Sequence, residues 1–239
     1  MKKVILVLAL ILMGRMLYAG DTLFQNLPYD NSNDTATDLL LDMQGVIPAD
    51  MVSAKVMKDT VILTLDDRAF CSGTFARDPK GQVHIYTAAH CCANYLFNQD
   101  GKMEVVTQGN RKVKVKAPTM ESFADNGVDA CRLEPESSGR TVSTRIGNAE
   151  LDKDRNFFLV SPFPIYSQAE RTQRVWVIGQ TIEDPFSWAV SAVFAPGMSG
   201  SAIISPKGIL IGFAVAGYLH VPHPVQVITL INDTGWIQE

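Results

Sequence analysis

The chain is poor in charge and in long apolar runs, and it has no excess of glycine or proline. Only 19% of its 239 residues are charged, the formal net charge is −4, and glycine and proline number 17 and 12. This content of glycine and proline excludes a collagen-like or low-complexity protein, and 46% hydrophobic residues is typical of a globular domain. Because a weakly acidic protein gains little from contacts with phosphate groups, we expect no nucleic-acid partner.

One unbroken apolar run lies near the start of the chain, from Val4 to Met13. It is too short for a membrane-spanning helix, which needs about 20 apolar residues. Lys2 and Lys3 precede it and Ala19 offers a small residue for cleavage, so the pattern predicts a signal peptide over residues 1–19. An uncleaved anchor is the alternative. After cleavage we expect a secreted or periplasmic protein with no stable membrane insertion.

The chain has only four cysteines, Cys71, Cys91, Cys92 and Cys131. An even number in an exported chain suggests disulfides, and four cysteines allow three pairings. Since no C-x-x-C pair is present, we expect no structural zinc site and no other metal. Two bridges, or one bridge and two free thiols, are both open at this point.

The chain changes character at about residue 60. Residues 20–58 contain a polar stretch from Asp30 to Asp38 that is typical of a solvated linker, so we interpret them as an N-terminal extension or pro-segment. Short β-like runs follow without long helical periods between them, which predicts an all-β barrel or sandwich over residues 59–239. These runs are Val61–Leu65, Val83–Thr87, Lys102–Thr107, Lys112–Lys116, Val128–Leu133, Phe157–Val160, Arg174–Ile178, Trp188–Phe194, Ala202–Ile204 and Ile209–Val215. We expect short helices only after His90 and near Gln226–Gln238.

Two motifs place a histidine and an aspartate within strand-like surroundings. In Tyr86-Thr87-Ala88-Ala89-His90-Cys91 an apolar strand runs into two alanines, which let the chain turn tightly and leave the imidazole facing a cleft. In the run from Asn126 to Leu133, Asp129 is costly to bury unless it is paired, and an imidazole N–H is a suitable partner. The alternatives are a strand-end histidine without a function and an exposed aspartate on an edge strand.

A third motif surrounds a serine with glycines, in Pro196-Gly197-Met198-Ser199-Gly200-Ser201-Ala202. Glycine neighbours can present a side chain sharply, because their backbone adopts conformations closed to other residues. Alone, the pattern also fits a surface turn. The order histidine, aspartate, serine makes the three motifs stronger together than apart.

With these motifs the chain resembles the trypsin-like serine peptidase family. Thr87–Cys91 resembles the histidine motif of that family, Cys71–Phe75 resembles the strand before it, and Gly197–Ser201 resembles the nucleophile motif. The resemblance covers roughly residues 60–239. It implies a chymotrypsin fold, with two six-stranded antiparallel barrels over about 59–138 and 139–239, an active site between them and a short C-terminal helix.

The resemblance also implies the roles of individual residues. Ser199 would be the nucleophile, His90 the general base and Asp129 the group that orients the imidazole. The amides of Gly197 and Ser199 would form the oxyanion hole. Substrates would be proteins or peptides, and no cofactor would be needed. The family pattern pairs Cys71 with Cys91, and we add the hypothesis of a second bridge between Cys92 and Cys131.

The chain departs from digestive trypsins at two points. Met198 stands where those enzymes carry the aspartate that binds the new N-terminus on activation, and no Ile-Val-Gly-Gly start is present. In this respect the chain resembles the compact bacterial branch, such as glutamyl endopeptidases. The expected substrate pocket has neutral walls, which suggest a small or apolar preference; its residues are Val193, Val215, Ala216 and Gly217.

Two other functions remain as rivals. A homologue of the same fold without activity could serve as a binding module. An esterase of the α/β-hydrolase type is disfavoured, because Ser201 occupies the position where the Gly-x-Ser-x-Gly elbow needs glycine. The sequence does not predict an oligomeric state.

Overall fold

The computed structural model of the protein describes residues 55–97, 103–136, 140–151, 156–163, 172–181, 184–218 and 225–237. The expected signal peptide, and residues 20–54 of the expected extension, lie outside these ranges. Within them, no helix combines the length and the apolar character that a bilayer crossing requires.

The first barrel contains six strands and one helix. The elements are β1 Thr60–Leu65, β2 Arg68–Arg77, β3 Val83–Thr87, α1 Ala89–Phe97, β4 Met103–Thr107, β5 Lys112–Val113 and β6 Cys131–Leu133. The strands are joined antiparallel in the order β5-β4-β1-β2-β3-β6. The ring closes where Val115 forms an isolated bridge with Pro135.

The second barrel is also six-stranded, and a two-residue strand, β7, precedes it. The elements are β7 Arg145–Ile146, β8 Asn156–Val160, β9 Thr172–Gln180, β10 Ser187–Ser191, β11 Ala202–Ile204, β12 Ile209–Tyr218 and β13 Val225–Leu230. The barrel strands are antiparallel in the order β11-β8-β9-β10-β13-β12, and the pairing of β11 with β12 closes the barrel. β7 lies between the barrels and runs parallel to both β2 and β12.

Each barrel has an apolar interior of its own, and a third apolar cluster lies where the barrels meet. Tyr86 of β3 is fully buried in this third cluster and stacks against Phe213 of β12, with ring centroids 6.3 Å apart. Trp236 packs on the same tyrosine at 5.4 Å. Aromatic pairs of this kind contribute about 0.5–1.5 kcal/mol each beyond their buried area, so they hold the barrels together.

A buried aspartate ties the start of the domain to the connection between the barrels. Oδ2 of Asp59 accepts hydrogen bonds from the amides of Ser143 and Thr144, both at 3.0 Å, and from their hydroxyls, both at 2.9 Å. Val56, just before it, is only 2% exposed within the cluster between the barrels. Val56 and Met57, which belong to the expected extension, thus pack in the cluster between the barrels.

The expectation of two six-stranded antiparallel barrels with a short C-terminal helix is confirmed. The helix begins later than the expected segment, because residues 226–230 belong to β13, with which both β10 and β12 pair. The helix that follows is a single 3₁₀ turn at Ile231–Thr234, and Gly235 ends it with a positive φ of 74°.

Two disulfides join α1 to the walls of the first barrel. Cys91 is bonded to Cys71 of β2, and Cys92 is bonded to Cys131 of β6. The described residues include no free cysteine. Adjacent cysteines can serve two partners here because successive helix positions point about 100° apart, towards different strands.

The disulfides make a prediction about stability. A cross-link stabilises mainly by restricting the unfolded chain, and more so for longer loops. The separations of 39 and 20 residues imply that Cys92→Ala/Cys131→Ala costs about 4 kcal/mol of unfolding free energy and that Cys71→Ala/Cys91→Ala costs about 3 kcal/mol. Urea titration of both double variants checks this. A loss below about 1 kcal/mol for either would contradict it.

Candidate active site

His90 owes its position to an abrupt change from strand to helix. β3 ends at Thr87, α1 begins at Ala89, and His90 is the second residue of the helix. Ala88 and Ala89 are fully buried, so larger side chains would not fit at this corner. The disulfide at the next residue, Cys91, then fixes the helix against β2. The imidazole is thereby held at the edge of the first barrel, partly exposed.

Asp129 binds His90 through both of its carboxylate oxygens. Oδ2 lies 2.9 Å from Nδ1 of the imidazole, and Oδ1 accepts the backbone amide of His90, also at 2.9 Å. Because an ionised carboxylate can only accept, Nδ1 carries the proton of the neutral ring. Nε2 is then left as the basic nitrogen. The sequence-predicted pair of His90 and Asp129 is thus brought into direct contact.

Burial and hydrogen bonding act on the pKa of Asp129 in opposite directions. Burial of the carboxylate is the largest single influence and raises the pKa. The charge of His90, the hydrogen bonds from its ring and amide, and the amide of Ala89 together outweigh burial and hold the pKa below its usual value. The carboxylate therefore stays ionised at neutral pH.

Ser199 lies in the second of two successive tight turns that share Met198. The amide of Met198 bonds to the carbonyl of Ala195, and the amide of Ser201 bonds to the carbonyl of Met198. In each turn the third residue is a glycine with positive φ, 88° at Gly197 and 83° at Gly200, which is the geometry of a type II turn. Ser199 is the second residue of the second turn.

The second turn fits directly against the first barrel. The amide of Ser72, in β2, donates to the carbonyl of Ser199 at 2.7 Å. A Cβ on Gly200 would lie 2.1 Å from the carbonyl oxygen of Ser72 and 2.3 Å from Oγ1 of Thr87. The turn can therefore approach β2 only because position 200 has no side chain. This contact places Ser199 beside the segment that carries His90.

The Cys71–Cys91 disulfide lies close to both the imidazole of His90 and the backbone of Ser199. A ring nitrogen of His90 lies within 4.8 Å of both sulfurs of the Cys71–Cys91 bridge. Sγ of Cys91 lies in turn 3.9 Å from the carbonyl oxygen of Ser199. The histidine and the two sulfurs resemble a set of metal ligands in spacing, but both sulfurs are bonded to each other and offer no thiolate.

The hydroxyl of Ser199 donates to the carbonyl of Val215 at 3.1 Å. Val215 is the extra residue of a β-bulge, since Ala214 pairs with Ile228 and Ala216 with Val227. A bulged residue is left out of the ladder, so its carbonyl is available to the serine. The bulge carries no clear signal in the sequence and was not predicted.

Solved structures share this architecture. The "HtrA-type protease AlgW with decapeptide" matches with a TM-score of 0.56 and 13% identity, over 78% of this chain and 65% of that one. The fold is that of HtrA-type proteases. "HtrA-type protease AlgWS227A with decapeptide" matches with a TM-score of 0.57 and 12% identity, over 79% and 64% of the two chains. "Crystal structure of Deg5" matches at 0.53 and 17%, over 76% and 87%.

No protein-family model and no curated protein sequence matches the sequence of this chain. The chain spans 65% and 64% of the two AlgW chains, so the HtrA-type fold is shared over a part of their length. The similarity therefore concerns the fold.

Met198 lies inside the second barrel of this HtrA-type fold. Its side chain is fully buried in the apolar interior, and its Sδ lies 3.0 Å from the amide of Ala195. The first turn is thus anchored by an apolar side chain. Gly197 of the same turn faces the ring of Phe163, whose nearest carbon would lie 3.2 Å from a Cβ.

The amides of Gly197 and Ser199 belong to this anchored pair of turns. Among the residues that the structure describes, neither amide has a hydrogen-bond acceptor. A buried or partly buried amide without a partner is uncommon in proteins. The role of both amides as oxyanion donors thus stays a prediction.

The expected pocket residues lie on two segments. Val215 contacts Ser199 as described, and Ala216 and Gly217 continue β12 in pairing with Val227 and Gln226 of β13. Val193 lies after β10, and its amide donates to the side chain of Gln173 at 3.1 Å. The side chain of Ala216 lies outside the described part of the structure.

The lack of space at Gly200 makes a prediction about stability. Gly200→Ala combines a strained φ with a clash against the backbone of Ser72, and should cost at least about 3 kcal/mol of unfolding free energy. Gly235→Ala is the matched control, because its φ is also positive, 74°, but no atom lies within 4 Å of the added Cβ. It should cost only about 1–2 kcal/mol. Equal losses, measured by urea titration, would contradict the clash.

The burial of Met198 makes a second prediction. Met198→Asp would place an unpaired carboxylate in an apolar interior and should cost about 3–5 kcal/mol of unfolding free energy. Met198→Leu, of similar volume, should cost less than about 1.5 kcal/mol. Thermal and urea unfolding of both variants decide the point. An aspartate variant as stable as the leucine variant would show that the side chain is solvated.

Proposed function

We propose that the protein is an exported serine endopeptidase of the trypsin-like family that cleaves peptide bonds through an acyl-enzyme. The observation that carries this proposal is the double contact between His90 and Asp129, which leaves Nε2 of the imidazole as the basic nitrogen. The next residue, Cys91, lies close to the carbonyl of Ser199. The HtrA-type fold of the neighbours supports the proposal. Both AlgW proteins were solved with a decapeptide, which agrees with peptide substrates here.

In the first half-reaction, Oγ of Ser199 leaves the carbonyl of Val215 and turns towards Nε2 of His90. As Oγ attacks the scissile carbonyl, Nε2 takes its proton. The developing oxyanion is hydrogen-bonded by the amides of Gly197 and Ser199. Asp129 keeps the ring in the correct tautomer and stabilises the imidazolium ion.

The tetrahedral intermediate then collapses: the C–N bond breaks, the imidazolium ion gives its proton to the leaving amine, and the acyl-enzyme remains. In the second half-reaction, water attacks the acyl-enzyme and gives its proton to His90. The imidazolium ion returns this proton to Oγ of Ser199 as the acid product leaves. No metal or organic cofactor takes part in these steps. A serine hydroxyl that bonds to another group before substrate arrives is compatible with this scheme, since catalytic hydrogen bonds often form only in the complex.

We further propose that the substrate pocket prefers small or apolar side chains. Val193, Val215, Ala216 and Gly217 supply neutral walls, with no carboxylate or histidine to select a charged side chain.

Activation does not use a freshly cut N-terminus, because Met198 cannot accept an ammonium ion and is anchored by the apolar interior instead. In its activation the chain resembles the compact bacterial branch that includes glutamyl endopeptidases, whereas its pocket lacks the histidine with which those enzymes bind an acidic side chain.

Export to an oxidising compartment, such as the periplasm or the medium, belongs to the same proposal. The apolar run behind Lys2 and Lys3 supports a signal peptide over residues 1–19. The bonding of all four cysteines in two disulfides supports a compartment in which thiols are oxidised.

A fluorophosphonate probe tests the proposal. It should label the wild-type protein at Ser199, and Ser199→Ala should abolish the labelling. Ser201→Ala is the matched control, because Ser201 is fully buried and donates to Ser161 at 3.1 Å, so labelling should persist.

Asp129→Asn should slow peptide cleavage by about 10⁴-fold while the fold is retained.

Two results would contradict the proposed peptidase function. A folded wild-type protein that neither reacts with the probe nor cleaves a peptide library would favour the inactive binding module. Labelling that survives in Ser199→Ala would assign the reactive group to another residue.

A further inference from the structure

Ser72 of β2 contacts both of the residues that would donate to the oxyanion. Its backbone amide donates to the carbonyl of Ser199 at 2.7 Å. Its hydroxyl donates to the carbonyl of Gly197 at 2.8 Å. The hydroxyl bond crosses from the first barrel to the second and joins residues that are 125 positions apart in the chain.

Ser72 is itself held firmly. It is fully buried, and its carbonyl accepts the hydroxyl of Thr87 at 2.7 Å. The next residue towards the N-terminus, Cys71, is bonded to Cys91 of α1. Gly200 packs on the same carbonyl without room for a Cβ. The hydroxyl of Ser72 therefore extends from a rigid part of the first barrel.

The backbone of Gly197 needs a contact that fixes its conformation. Its φ of 88° belongs to a region that glycine adopts freely, and glycine has the largest conformational freedom of any residue. Met198 holds the next position from inside the second barrel. The bond from Ser72 holds the peptide group between these two residues from the opposite side. The amide of Gly197 thus depends on a turn that is fixed from both barrels.

Oxyanion donors are effective only at short range. They must lie about 2.7–3.1 Å from the position of the developing charge, and a displacement of about 1 Å can cost about 100-fold in rate. A hydroxyl that fixes the turn would therefore affect the transition state more than the bound substrate. A hydroxyl that merely satisfies a buried carbonyl would affect stability alone.

We propose that Ser72 is a positioning residue for the oxyanion hole, acting through the carbonyl of Gly197. This inference rests on the peptidase function proposed above. Ser72→Ala removes the hydroxyl and keeps the amide bond to Ser199, so it isolates the contact with Gly197. Ser72→Gly removes the same hydroxyl and serves as a second variant if the alanine variant does not fold.

The test compares kcat and KM for a peptide ester with the affinity for a peptidyl boronate, which mimics the tetrahedral intermediate. In Ser72→Ala we expect kcat to fall about 10- to 100-fold with KM nearly unchanged, and boronate affinity to fall by a similar factor. Ser143→Ala is the matched control, because it removes a hydroxyl bond of 2.9 Å to Asp59, remote from the turn. It should lower stability and leave kcat and boronate affinity unchanged.

The outcomes separate this inference from the proposed function. If the wild-type protein turns over the ester and Ser72→Ala retains both kcat and boronate affinity, the inference is wrong and the peptidase stands. If Ser143→Ala loses as much kcat as Ser72→Ala, the effect is a general loss of stability and the inference is wrong as well. A wild-type protein without turnover or labelling overturns the proposed function, and the inference with it.

Discussion

The close approach of Gly200 to β2 is the constraint on which the rest of the site depends. The two barrels each have an apolar interior and could have packed in many ways. At this point a backbone turn of the second barrel reaches the carbonyl of Ser72 and the hydroxyl of Thr87, with no space for a side chain between them. The position of Ser199 relative to the first barrel follows from this contact.

Each barrel contributes one half of the site. Two disulfides and a buried pair of alanines hold α1, and Asp129 binds both the ring and the amide of His90. In the second barrel, Met198 anchors the turns from inside. The two halves meet at the contact of Gly200, at the bond from Ser72 to Gly197 and in the aromatic packing around Tyr86.

The sequence predicts those features that are local in the chain. Val83–Thr87 and Ala202–Ile204 form strands with the predicted bounds. Each is a short, largely apolar run that turn residues separate from the neighbouring runs. The pairing of His90 with Asp129 could be expected because a buried carboxylate needs a partner. Features that depend on distant segments escape such an analysis. β13 exists because two other strands bind it, the bulge at Val215 depends on its register with β13, and the contact of Ser72 with Gly197 joins residues 125 positions apart.

The most direct test of this account is the rate of peptide hydrolysis in His90→Ala, in Ser199→Ala and in the variant that carries both substitutions. If the contact between the barrels makes the two residues one catalytic unit, each single substitution should lose about as much kcat as the double substitution, on the order of 10⁶-fold. Losses that multiply in the double variant would contradict the account, because they would mean that His90 and Ser199 act independently.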